Sequence, residues 1–286
     1  MKIILSRKGF DSGAGGVASP ILPDGQLVSL PIPSKRDPHR FDDVVLGGVP
    51  LGPLVEDLTG GRVKRDSRCH LDPDLDASAV PRPKGWRPAF GQVSAAQKHL
   101  AGNAVQAGDL FLFFGWFRAV EQVDGRWRYI RGAPDLHVIY GWLQIGQVVG
   151  LSDADGSLLS AHADHPHVHA RIGGRDVSDL YRRSNTLYLA RDRVSVPGIR
   201  RAGAGLFKTC YGRVLTETGQ GKRSAWRLPS WFHPDRGTTL TYHARPTRWR
   251  ADGDACSLMS AARGQEFVLE TSRRKEVEAW LGEIFR

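Results

Sequence analysis

Three imidazoles and a carboxylate crowd six residues of this chain, Asp164-His165-Pro166-His167-Val168-His169. Pro166 biases His165 toward extended backbone, and alternation along an extended segment would turn all three rings to one side. Neutral imidazoles so arranged suit Zn²⁺, Fe²⁺ or Mn²⁺, with Asp164 available to hold a ring tautomer. The plainer alternative is a polar loop in which one histidine is buried and bonded while the others meet solvent. His70-Leu71-Asp72 offers a second pair, because residues i and i+2 share a face of an extended segment. With a distant histidine this pair would form the facial triad of non-haem iron oxygenases, three ligands on one side and open positions for oxygen and substrate on the other. Against that stands Pro73-Asp74, which could make Asp72 a turn residue bonded to neighbouring amides. His243, in Leu240-Thr241-Tyr242-His243, is a further candidate, although a lone histidine at a strand end commonly serves the core. The candidate metal ligands are thus His70, Asp72, His165, His167, His169 and His243, with Fe(II) favoured over Zn or Mn as the divalent cofactor.

The opening segment supplies a second kind of chemistry. Ile3-Ile4-Leu5 reads as a short strand that breaks into a loop carrying Lys8, Asp11, Ser12, Gly13, Gly15 and Gly16. Lys8 could neutralise a phosphate while Ser12 and the amides of Gly15 and Gly16 donate to its oxygens, as in backbone anion nests. Asp11 could act as a general base or a further ligand. The alternative is a glycine-rich turn held by the side chains of Asp11 and Ser12. No G-x-x-x-x-G-K-[ST] order is present, so ATP binding of the P-loop kind is not indicated. Trp116 and Arg118 at the end of an aromatic strand could stack a base and pair a phosphate, and Arg223 and Trp226 could line a pocket wall. The aromatic run itself, Phe111, Phe113, Phe114 and Phe117, is most simply core.

Strands must position these groups. Asp109–Phe114, Trp127–Ile130, Leu136–Ile145, Asn185–Ala190 and Gly264–Leu269 read as strands, and Asp124-Gly125 is a hairpin signal that implies antiparallel pairing. Helices are few: a short one from Ser94 to Leu100 stopped by Gly102, and a C-terminal one over Ser272–Phe285. The latter places Val277, Trp280, Leu281, Ile284 and Phe285 on one face. The expected fold is α+β, strand-rich, with a mainly antiparallel sheet or a small barrel core and a few helices. With 286 residues and 41% hydrophobic content, the chain is long enough to bury a substantial core. No apolar run approaches the roughly 20 residues that cross a bilayer, and the N-terminus lacks the pattern of a secretory signal, so a soluble cytoplasmic protein is expected. Cys69, Cys210 and Cys256 are odd in number and far apart, which excludes a disulfide framework and a CxxC knuckle. A net charge of +10 favours phosphate-bearing partners, though an arginine-rich composition gives basic surfaces without binding as well.

Gly108-Asp109 before a strong apolar strand, and a later strand ending in Gly146-Gln147-Val148-Val149, resemble in rhythm the small barrels of the pseudouridine-synthase-associated (PUA/ASCH-like) kind. A sharper resemblance runs through SRKGFDSGAGG, SPILPDG, SLPIP, HLDPDL, GWRPAFGQV, DLFLFFGWFR, DHPHVH, SAWRLPSWF and GQEFVL. These blocks are similar to the third type of nucleotide-modification-associated domain. They run from the first residue to near the last, which implies one integrated domain over residues 1–286. The resemblance implies a setting in base modification rather than a particular reaction. Three functions follow as expectations: a metal-dependent enzyme acting on a nucleotide or nucleic-acid base by oxidation or metal-assisted hydrolysis, a non-catalytic reader of modified bases, or a non-haem metalloenzyme acting on a small metabolite or amino-acid side chain.

Overall fold

The computed structural model describes residues 1–172 and 183–286. Its centre is β3 (Leu110–Val123), flanked by β1 (Ile3–Arg7) on one side and β4 (Leu136–Gly150) on the other; β2 (Ala89–Gln92), β5 (Thr186–Ala190) and β6 (Glu266–Glu270) extend the sheet. The order is Thr239–Leu240, β6, β1, β3, β4, β5, β2. Every neighbouring pair along this path is antiparallel except β1 with β3, which run parallel from Ile3↔Leu110 to Arg7↔Phe114. Among the described residues the sheet stays open, with no closed barrel. The barrel alternative is therefore corrected: β2 ends the path instead of returning to the far edge.

The central strands read as continuous apolar runs because both of their faces are covered. Ile3, Leu5, Leu110, Leu112 and Phe114 enter one core cluster with Trp226, Phe267 and the last helix, whereas Ile4, Phe111, Phe113 and Phe117 enter another with Phe90, Tyr140 and Tyr188. Each phenylalanine is fully buried, a gain of about 1.5–3 kcal/mol apiece. The aromatic run is core, as its composition indicates. Asp124 and Gly125, at φ 50° and 75°, close the turn between β3 and Arg126–Tyr129.

Five helices flank the sheet among the described residues: α1 (Leu51–Leu58), α2 (Ser94–Gly102), α3 (Gly156–Ala161), α4 (Pro166–Ile172) and α5 (Arg274–Ile284). The face of α5 is the expected one, with Val277, Trp280, Leu281 and Ile284 buried. α1 was not expected from sequence, since Gly52 and Pro53 discourage a helix. Pro53 lies in the first turn, where a missing N–H costs nothing, and Leu51, Leu54, Val55 and Leu58 still form one buried stripe. No described helix is long and apolar enough to cross a membrane.

Candidate metal centre

The outer edge of β2 organises the centre. Asp74 pairs with Ala89 through both backbone bonds, which lays residues 72–74 along this strand, and Gly91 N–H donates to Asp72 Oδ1 at 2.9 Å. Asp72 is therefore tied to a residue 19 positions away, not to amides of its own turn. His70 arrives on the same segment, directly after the Arg68–Cys69 strand, with its own N–H bonded to Ile32 O at 2.8 Å.

The His165-Pro166-His167 segment differs from the extended form the sequence suggests. Pro166 opens α4, a first-turn position that suits a residue with fixed φ and no N–H. His165 precedes it, and its Nδ1 accepts the His167 N–H at 3.3 Å. The two residues from His167 to His169 turn the helix by about 200°, which brings His169 out on its other side, outside the cluster, while His165 and His167 both reach Asp72. His165 Nε2 lies 3.3 Å from Asp72 Oδ1, and His167 Nε2 and His70 Nε2 lie 3.7 and 3.9 Å from Oδ2. One ligand atom from each of His70, Asp72 and His167 falls within 4.8 Å of the others, so the trio can hold a metal ion.

Neighbouring side chains set the tautomers. Asp37 Oδ2 accepts His70 Nδ1–H at 2.8 Å. Asn185 donates its amide to His167 O at 3.1 Å, which places its Oδ1 to accept His167 Nδ1–H at 2.6 Å. With Nδ1 bonded to an orienting acceptor in each ring, Nε2 is the nitrogen on the Asp72 side, the usual arrangement of metal-binding histidines. For His165 the order is reversed: Nδ1 accepts, so Nε2 carries the proton. That Nε2 is buried and, at 3.3 Å from Asp72, is not aligned as a hydrogen bond. Burial opposes charge on Asp72, but the adjacent imidazoles of His165, His167 and His70 outweigh it and hold the carboxyl at about 2. Burial pushes His167 down to about 4 against the pull of Asp72, keeping the ring neutral near pH 7.

Packing fixes this geometry. A Cβ on Gly91 would stand 2.3 Å from the His167 ring, so only glycine lets helix and strand approach so closely. A cavity of about 20 Å³, room for one water, lies against Asp72 between Gly9, Ser29, Tyr140 and Leu206.

The remaining candidates stand elsewhere. His243 is buried with both ring nitrogens used, Nδ1 donating to Thr241 O at 2.8 Å and Nε2 accepting Ala261 N–H at 2.9 Å; it stacks on Trp226. Trp226 is fully buried and donates to His137 Nδ1, so no base can reach its face. Lys8 pairs with buried Glu266 at 2.8 Å and lies over Phe90, turned away from the loop it precedes. Asp11 Oδ1 accepts the amides of Gly13 and Ala14, both at 2.7 Å, the self-held turn weighed as the alternative. A Cβ on Gly15 would meet the Phe10 ring, and one on Gly16 the Arg62 guanidinium. Arg118 lies over Tyr129 and donates to Ile130 O. Asp11, Ser12, Trp116 and Arg223, by contrast, gather around one cavity at the end of β1.

Asp37, Asn185 and Gly91 escaped sequence reasoning. Gly91 alone carried a signal, a glycine between strand residues Phe90 and Gln92, which marks close approach.

Fold and site together define a strand-rich α+β protein with a histidine–aspartate cluster able to hold a metal ion. The chain belongs to the family described as nucleotide modification associated domain 3, whose model matches residues 2–270. Membership points to a role in nucleic-acid modification. No curated protein and no solved structure matches the chain.

Proposed function

We propose that the protein is a metal-dependent enzyme that modifies a nucleotide or a base in nucleic acid. His70, Asp72 and His167 would hold one divalent ion. The observation that carries this reading is the pairing of each ligand imidazole with its own orienting partner, Asp37 for His70 and Asn185 for His167, so that both Nε2 atoms meet one carboxylate. Two imidazoles and one carboxylate form the donor set of the facial triad, which favours Fe(II) over Zn or Mn and leaves positions open for substrate. His165 then acts as a positioning group: its protonated Nε2 faces the Asp72 carboxylate and would donate to it or to a water held by the ion. The base-modification half of the reading is supported by family membership and by the net charge of +10.

An Fe(II)-loaded sample tests the open site. An exogenous small ligand such as azide should bind the metal and change its spectrum, and a deoxynucleotide or oligonucleotide should perturb that spectrum. A closed site that takes up neither would contradict the proposal.

A further inference from the structure

We propose that the cleft at the end of β1 binds a nucleotide unit, a phosphate with the planar base it carries, at a second site apart from the histidine–aspartate cluster. The cleft encloses about 460 Å³, within the size range of small-molecule sites, and shares no lining residue with the cluster. Arg7, Trp116, His137, Lys222 and Arg223 face it. The Arg223 guanidinium sits over the Trp116 ring, 4.2 Å from its centroid, while Asp135 Oδ1 accepts the indole N–H at 2.9 Å and fixes the ring. With one indole face covered by Arg223, the other would stack a base while the guanidinium edge pairs its phosphate.

The donors in this cleft exceed the acceptors. Arg7 spends Nη1 and Nη2 on the carbonyls of Ala262 and Ala261, and its Nε is buried with no hydrogen-bond partner. His137 Nδ1 accepts the Trp226 indole N–H at 2.9 Å, so the neutral ring carries its proton on Nε2 as a further donor. Burial, then the charges of Arg7 and Arg223, keep that ring neutral. Two carboxylates also line the cleft, and both already accept: Asp11 from Gly13 and Ala14, Asp135 from Trp116. Arg7, Lys222 and Arg223 against Asp11 and Asp135 leave the lining one positive charge in excess, and phosphate oxygens make charge-assisted bonds to guanidinium and ammonium groups.

The test titrates the full chain by calorimetry with 2′-deoxyadenosine 5′-monophosphate and, separately, with a mixed-sequence single-stranded DNA oligonucleotide. Saturable binding is expected. Arg223→Ala and Trp116→Ala should each weaken it by at least about tenfold, and Trp116→Phe, which keeps a stacking ring, by much less. Tighter binding of the strand assigns the nucleotide unit to a polymer; tighter binding of the monophosphate assigns it to a free nucleotide. Absence of saturable binding to either probe, or both alanine variants within about twofold of the parent, would overturn the proposal. Should Trp116→Ala melt early, Arg223→Ala at the half-exposed rim decides alone. Metal content measured on the same samples keeps this outcome separate from the fate of the metal centre.

Discussion

The cluster at the edge of β2 and the cleft at the end of β1 are built on opposite plans. In the cluster, four short side chains from two distant segments are held by packing and by partners such as Asp37, Asn185 and Gly91 N–H, and the Asp72 carboxylate is almost wholly enclosed. The cleft is lined by three long cationic side chains, Arg7, Lys222 and Arg223, exposed or half exposed, beside two carboxylates. A coordination site needs ligand atoms placed to within fractions of an ångström, so each ring is fixed from behind. A phosphate site needs charge and reach more than rigidity. The contrast separates the two by how they should fail.

Loss of a ligand has the largest effect. Replacing His70, Asp72 or His167 by alanine should abolish metal retention, whereas Arg223→Ala should leave it whole; elemental analysis of the four variants checks this. Orienting partners come next. Asp37→Ala and Asn185→Ala should weaken metal affinity by about 10–100-fold, read by competition with a chelator. Gly91→Ala belongs with them, because its methyl would displace the His167 ring.

Acid should act on stability before it acts on the fold's covalent frame. His137, His167 and His243 are held by burial at about 3, 4 and 4 against an ordinary value of 6.5. The unfolded chain therefore binds protons first as pH falls below 6.5, and the native state loses up to about 1.4 kcal/mol per pH unit for each ring down to its native value. Tm measured at pH 7.5 and pH 5 should fall at the lower pH. A Tm that is flat across this range would contradict the neutral, buried assignment.

The smallest effects sharpen the division of labour among the histidines. His243→Ala should cost about 1–3 kcal/mol by stranding the Ala261 N–H and Thr241 carbonyl, with metal content unchanged. His169→Ala, at a half-buried helical position outside the cluster, should change neither stability beyond about 0.5 kcal/mol nor metal content.

Most of the sheet was legible in the sequence because its strands are buried on both faces and read as unbroken apolar runs, β3 and β4 above all. The hairpin at Asp124-Gly125 and the face of α5 were legible for the same local reasons. α1 and α4 were not: a proline in a first turn looks like a breaker in a string of letters, yet it is compatible with the helix it opens. That error at α4 carried into the site, since extended alternation groups His165, His167 and His169, whereas the helix keeps the first two and removes the third. His70 and Asp72 could be named from their spacing. Their partners could not, because Asp37 and Asn185 come from remote segments whose sequences hold no pattern for the contact. The parallel β1–β3 pair was equally hidden, being a property of chain path rather than of either strand.

His167 and His169, two residues apart and alike in chemistry, have unlike roles if His70, Asp72 and His167 hold the ion. Elemental analysis of the two alanine variants, purified without chelator or affinity tag beside the parent chain, tests it directly. The parent and His169→Ala should each carry close to one equivalent of a divalent metal and His167→Ala almost none. Equal metal content in the two variants, or a parent chain that takes up no metal when offered it, would rule out a metal centre built on His167.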